Sequence, residues 1–299
     1  MSLFYEKLAA KKRDEAESVP KRFNQALRTA ATAAGGNLLG RGTARGLFLG
    51  AARHVRRADE ADHLRRLHAK INPRIAQIVS EESIPHLLRK SPAQHLDKQK
   101  KYLKNFISGG AAFQPDVGIN PQGVIDYSRR SGKGRAVTRG MIASSLKNTD
   151  TTALMHELGH ATGKLGYGKN KLYSGLVRNS VKLTRGGPGT GFGIGRAGLE
   201  SYNIGAAKSK KELDAIEKRT NILTGLHGLM TAPLLFEEGR ANPRAIGLGK
   251  KFGAKVSKGK LSAAMGGYLA NAAGQTLLPH YLIKRRIKQR RKALADKRG

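Results

Sequence analysis

No cysteine occurs anywhere in the 299 residues. That excludes disulfides, thiolate metal ligands and a cysteine nucleophile, so any metal must be held by histidine and carboxylates. Tryptophan is also missing, and aromatic residues make up only 5% of the chain. A dense aromatic core is therefore excluded, and the 37 glycines point to helices that approach one another closely. Acidic residues are scarce as well: 21 Asp and Glu stand against 56 Lys and Arg, a formal net charge of +35. An imbalance of this size points to a polyanionic partner, whether nucleic acid, an anionic membrane surface or an acidic protein. The first residues lack a basic start followed by a long apolar run, so no secretory signal is expected.

The first hundred residues read as basic helices. Residues 1–34 carry Leu3, Phe4, Leu8, Phe23 and Leu27 at scattered apolar positions, with Pro20 expected to split the segment. Residues 35–52 read as a loop or a weak amphipathic helix. Residues 53–71, 74–90 and 92–107 read as three further helices with basic outer faces. Composition changes near Gly109-Gly110, where proline, glycine and β-branched residues predict short strands over 116–119 and 123–128, and a third over 136–142. A helix capped by Thr149 or Asp150 follows, with Gly163 as its stop. Residues 164–220 read as a long loop with short helices. Residues 220–236 and 261–283 are runs without a formal charge, and the second reads as a buried or interfacial helix in preference to a membrane span.

The sequence Ala153-Leu154-Met155-His156-Glu157-Leu158-Gly159-His160-Ala161 carries the chemistry. On a helix, His156 and His160 lie on one face a turn apart, so both imidazoles can reach one metal ion at about 2.0–2.1 Å. Glu157 projects beside that metal and not onto it, which suits a general base for a water at the metal. Residues 151–156 and 158–162 carry no formal charge, as an interior helix requires. Zinc also needs a third protein ligand. Of the acids that follow His160, Glu237 and Glu238 stand out, because they end an apolar run and so need a partner.

At this point the sequence resembles the gluzincin group of zinc metallopeptidases. Glu238-Gly239-Arg240-Ala241-Asn242 fits the Glu-x-x-Ala-Asn pattern of the ImmA-type metallopeptidases of phages and mobile elements. The resemblance implies His156, His160 and Glu238 as zinc ligands, with Glu237 as the alternative, Glu157 as the base, and Asn242 as the residue orienting a ligand histidine. It implies hydrolysis of a peptide or protein substrate. The spacing from His160 to Glu238 is longer than in compact members, and Pro243 disfavours continuation of the helix past Asn242. The metzincin pattern does not fit, since Gly166 stands where its third histidine belongs. The segment 136–144 is either a strand that pairs with extended substrate or a plain structural strand. Tyr167, Tyr173, Tyr202 and His227 are the candidate transition-state donors.

These readings combine into an α+β, mainly helical protein. A basic helical module (1–108) precedes a zincin-like catalytic domain with a small sheet (109–250), and a small-residue helix with a basic tail (251–299) completes it. Nine of the last 16 residues are Lys or Arg, suited to DNA or to an anionic headgroup surface. Three functions are carried forward. The first is a zinc endopeptidase, of the kind delivered with a phage virion into a host cell. The second is a catalytically silent, DNA-associated virion protein. The third is a membrane-associated protein of the ejection type.

Overall fold

The structure is a computed structural model. It describes residues 17–52, 58–71, 76–90, 93, 96–108, 111–114, 117–119, 125–126, 140–147, 149–162, 171–185 and 187–296. The described chain is mainly helical with a small mixed sheet. It divides into two compact units, each assembled from separate stretches of sequence.

One unit comprises Gly46–Arg178 and Pro233–Gly266. Its elements begin with α2 (Ala58–Lys70), β1 (Gln77–Val79), a 3-10 turn at Glu81–Ser83, α3 (Ile84–Arg89) and α4 (Leu96–Ser108). After these come β2 (Ala111–Gln114), β3 (Gly118–Ile119), β4 (Ile125–Asp126), β5 (Met141–Ser144) and α5 (Thr151–Thr162). The sheet order is β1-β5-β2, with β1 parallel and β2 antiparallel to β5. Phe113 faces Ile142 in this register, and their side chains join Leu64, Leu67, Leu154, Met155 and Leu158 in one core. Met141, Ala143 and Val79 point to the other side and pack with Leu87, Leu103, Phe106 and Ile107 of α3 and α4. The period-2 alternation of strands thus gives each face of the sheet its own helical layer. β3 and β4 pair as a separate hairpin, in line with the expected strands over 116–119 and 123–128 as far as these are described.

The other unit comprises Met1–Arg45, Asn179–Ala232 and Gly267–Gly299. Its described helices are drawn from α1 (Val19–Ala52), α6 (Lys171–Arg185), α7 (Gly187–Ala206), α8 (Lys210–Phe252) and α9 (Lys258–Asp296). Ile204, Ala207, Leu213, Ile216, Ile283, Ile287 and Leu294 form its core. Polar contacts tie the helices together. Glu200 takes both Arg219 Nε and Nη2 at 2.8 and 2.6 Å, Glu217 pairs with Lys284 and Arg291, and Arg286 reaches Glu17 at 2.6 Å.

Several expectations are corrected. Pro20 opens α1 instead of splitting it, because an N-terminal helical turn has no use for the missing N–H. The segment 74–90 contains strand β1 and a short helix, not one helix. The glycine-rich stretch 187–206 is helical, not a loop. Close packing offsets the low propensity of its glycines: a Cβ at Gly193 would lie 2.9 Å from the Gln275 carbonyl oxygen, so only glycine allows that approach. Pro243 and Pro233 both lie inside α8, which runs on to Phe252. Buried Ala241 and Ala245 hold its last turns in place. Gly253 then ends the helix with a φ of 65°, and Ala254 N–H donates to the Gly249 carbonyl at 2.7 Å. Among the described residues no helix is long and apolar enough to cross a membrane.

Candidate metal centre

α5 is set in place before its histidines matter. Asp150 caps it by accepting the Ala153 N–H at 2.7 Å. Lys260 pairs with the other Asp150 oxygen, and Ser257 N–H donates to Thr152 Oγ1 at 3.0 Å. Just past the end of β5, on the way to α5, Glu81 accepts from Ser145 Oγ and from the Leu146 N–H. Burial opposes the charge of Glu81, yet these two donors hold its carboxyl below the ordinary range. Leu154, Met155 and Leu158 bury the opposite face of α5.

Gly159 decides how near α8 can come. A Cβ there would lie 2.6 Å from the Ala241 carbonyl oxygen, a backbone atom that cannot give way. Arg244 fastens the same crossing by donating to the Gly159 carbonyl at 3.2 Å. The close crossing brings residues 237–242 against the two histidines. His156 Nε2 is 3.0 Å from Glu238 Oε2, His160 Nε2 is 3.6 Å from the same oxygen, and the two Nε2 atoms are 3.2 Å apart. The rings stand nearly perpendicular, at 87°. Each outer nitrogen has its own partner: His156 Nδ1 lies 3.0 Å from Asn242 Oδ1, and His160 Nδ1 lies 3.1 Å from Glu237 Oε1. With the Nδ1 atoms facing Asn242 and Glu237, the Nε2 atoms are left to meet Glu238 through a proton or a cation. Glu237 is 1% exposed, and its second oxygen accepts the Tyr173 hydroxyl at 2.7 Å. Burial and then this bond push the Tyr173 hydroxyl pKa well up.

Glu157 belongs to a different set of contacts. Its Oε2 accepts the Phe113 N–H of β2 at 2.7 Å. His156, Glu157 and His160 nevertheless bring one donor atom each within 4.8 Å of one another, and this group could hold a metal ion. The electrostatics favour a positive charge at the centre. Burial works against a charge on His160, but Glu237 and Glu238 outweigh it and raise its pKa to about 10. Burial likewise opposes the charge of Glu238, and the two imidazoles still hold its carboxyl far below the usual range. A proton or a metal cation can satisfy the same carboxylates.

His156, Glu157, His160, Glu237, Glu238 and Asn242 are thus brought together. The expected donors Tyr202 and His227 belong to the other unit, and Tyr167 lies outside the described residues. Of the four, Tyr173 is the one beside these groups. β5 is paired on both edges, so it is a structural strand and cannot take an extended substrate; residues 136–139 of that expectation lie outside the described residues. Sequence reasoning missed the Phe113 amide and the Gly159 crossing. The glycine inside the His-Glu-x-x-His segment was the available signal for the second. Comparison with protein-family models, curated proteins and solved structures finds no match.

Proposed function

We propose that this protein is a zinc-dependent peptide hydrolase with His156, His160 and Glu238 as ligands and Glu157 as general base. The observation that carries the reading is the convergence of three donor atoms at 3.0, 3.2 and 3.6 Å. A tetrahedral zinc with arms of about 2.0–2.1 Å has ligand-to-ligand edges of about 3.3–3.4 Å. Glu238 is favoured over Glu157 as third ligand because its Oε2 sits 3.0 and 3.6 Å from the two Nε2 atoms while Glu157 is held by the Phe113 amide, and over Glu237 because Glu237 faces the outer nitrogen of His160. Two nitrogens and one carboxylate oxygen suit zinc, which supplies Lewis acidity and lowers the pKa of water to about 7.

The chain's own residues divide the remaining work. Glu157 takes a proton from the attacking water and hands it to the leaving amine. Its bond to the Phe113 amide fixes one carboxylate oxygen, so the other is the one that moves the proton. Asn242 and Glu237 hold the rings in the tautomer that presents Nε2. A peptide substrate is supported by β2. Its one partner is β5, and among the described residues no strand pairs with its other edge, where the Phe113 amide meets Glu157.

Metal analysis of the purified protein tests the reading: one zinc per chain is expected, and Glu238→Ala should lose it. Glu157→Gln should keep the zinc while peptide cleavage falls by about 10³-fold or more. Wild-type protein that takes up no zinc, or a Glu157→Gln variant that cleaves normally, removes the proposal.

The charge of +35 supports a second property, association with a polyanion such as DNA or an anionic membrane surface. Toward the end of α9, Arg285, Lys288 and Lys292 are exposed, while Lys284, Arg286 and Arg291 pair with Glu217 or Glu17. Such binding would weaken steeply with salt.

A further inference from the structure

A second polar cluster lies in the unit that does not hold the histidine pair. Arg196 on α7 is 6% exposed, and among the described residues none of its three guanidinium nitrogens has a hydrogen-bond partner. Glu200, one turn further along, favours the Arg196 charge electrostatically but gives its hydrogen-bonding oxygens to Arg219. His227 on α8 is 3% exposed, and both of its ring nitrogens likewise lack partners among the described residues. On α9 the Thr276 hydroxyl is buried in the same condition.

These groups come from three helices that meet at one place. Phe192, a turn before Arg196, stands edge-on to His227 with ring centroids 5.7 Å apart. Thr224 Oγ1, a turn before His227, contacts His280 Nδ1 at 3.0 Å, and His280 lies a turn past Thr276 on the same face of α9. Gly193 closes the triangle by packing on the Gln275 backbone. A buried guanidinium without a hydrogen-bonded counter-charge is among the costliest arrangements a protein can hold. A buried polar group without a partner calls for an explanation, and a bound ion, water or ligand is a common one.

We propose that the junction of α7, α8 and α9 around Arg196 and His227 binds one small oxyanion of the phosphate or carboxylate class. The planar guanidinium presents paired N–H groups that match two oxygens of such an anion. The ligand is small because a side chain buried this deeply cannot be reached by the backbone of a nucleic acid. Burial, and then the nearby Arg196 charge, push the His227 pKa down. The imidazole therefore stays neutral, with one N–H to donate, and does not add a second desolvated charge.

The test uses full-length protein exchanged into chloride buffer and titrated with inorganic phosphate, and separately with acetate, at constant ionic strength. Calorimetry should give about one anion per chain, and Tm should rise by about 2 °C at tenfold the Kd. Preference for phosphate or for acetate identifies which oxyanion the site takes. Arg196→Met should abolish the saturable response, whereas Arg285→Met, at an exposed position on α9, should keep it. Arg196→Lys retains the charge without the fork and should bind at least tenfold more weakly, which decides the matter should the methionine variant fail to fold. A wild-type response no different from chloride overturns the proposal, as does an unchanged affinity in Arg196→Met or Arg196→Lys.

Discussion

The two buried polar clusters solve the same problem in opposite ways. Around His156 and His160 each ring nitrogen faces an oxygen or another ring nitrogen, and Glu237 and Glu238 supply negative charge for a cation between them. Around Arg196 and His227 the charge is positive, and the nitrogens face no hydrogen-bond partner among the described residues. Desolvation is severe in both places, and what differs is where the compensating groups reside. The first cluster carries its compensation in its own sequence, in the pair Glu237-Glu238 and in Asn242. The second has no hydrogen-bonded compensation for the guanidinium among the described residues, only the nearby charge of Glu200. A metal at the carboxylate-flanked histidines and an anion at the buried guanidinium are the corresponding proposals.

The contrast breaks first at Gly159. A methyl group there meets the Ala241 backbone, and forcing α5 and α8 apart costs about 1–3 kcal/mol, against a helix-propensity gain of at most about 1 kcal/mol. Gly159→Ala should therefore lower stability by about 1–2 kcal/mol in denaturant titration. It should also weaken zinc binding by about 100-fold or more, the size expected when both ring-orienting partners are displaced at once. Normal zinc affinity in that variant would mean the close crossing does not position Glu238.

A smaller effect separates the two ring-orienting groups. Asn242→Ala and Glu237→Gln should each weaken zinc affinity by about 10–100-fold, measured by chelator competition. Glu237→Gln should be the more damaging of the two. It removes a buried negative charge that faces His160, whereas Asn242 supplies only a neutral acceptor to His156.

The smallest effect lies away from both clusters, at His68. Its Nε2 is 2.8 Å from the Oγ of Ser144, a fully buried residue of β5. Burial lowers the His68 pKa to about 4, with Glu82 and Glu81 opposing the shift. The folded state thus resists a proton that the unfolded chain accepts from about pH 6.5 downward. Stability is full above that value and falls as the pH drops toward 4, by on the order of 2 kcal/mol. His68→Gln should flatten the loss between about pH 6.5 and 4 in urea titrations; an unchanged slope would show that other groups set it.

The candidate site was legible because its signals are local. His156, Glu157 and His160 need only a helix, and Glu238 and Asn242 share one helix four residues apart. The capping Asp150 and the hairpin residues 118–119 and 125–126 were legible for the same reason. β1 was not, since three residues carry no usable periodicity and Val79 is a strand residue only because β5 lies beside it. The glycine-rich α7 reads as a loop because propensity is all a single sequence offers there, and the packing of Gly193 on Gln275 comes from a segment far along the chain. The persistence of α8 through Pro243 has the same origin: buried Ala241 and Ala245 outweigh one missing donor.

The amino-acid sequence by itself determined the absence of thiol chemistry, the strong positive charge, and the two imidazoles a turn apart on a helix with uncharged flanks. Those properties follow from composition and from the helical period of about 3.6 residues, neither of which needs a partner segment. Only the tertiary structure decided which acid meets the imidazoles, that Glu157 is tied to a strand amide, and that Arg196 is buried with no hydrogen-bonded counter-charge among the described residues. Each of these depends on which helices approach within a few ångströms, and that distance is set by glycines and small side chains whose neighbours lie far away in the chain.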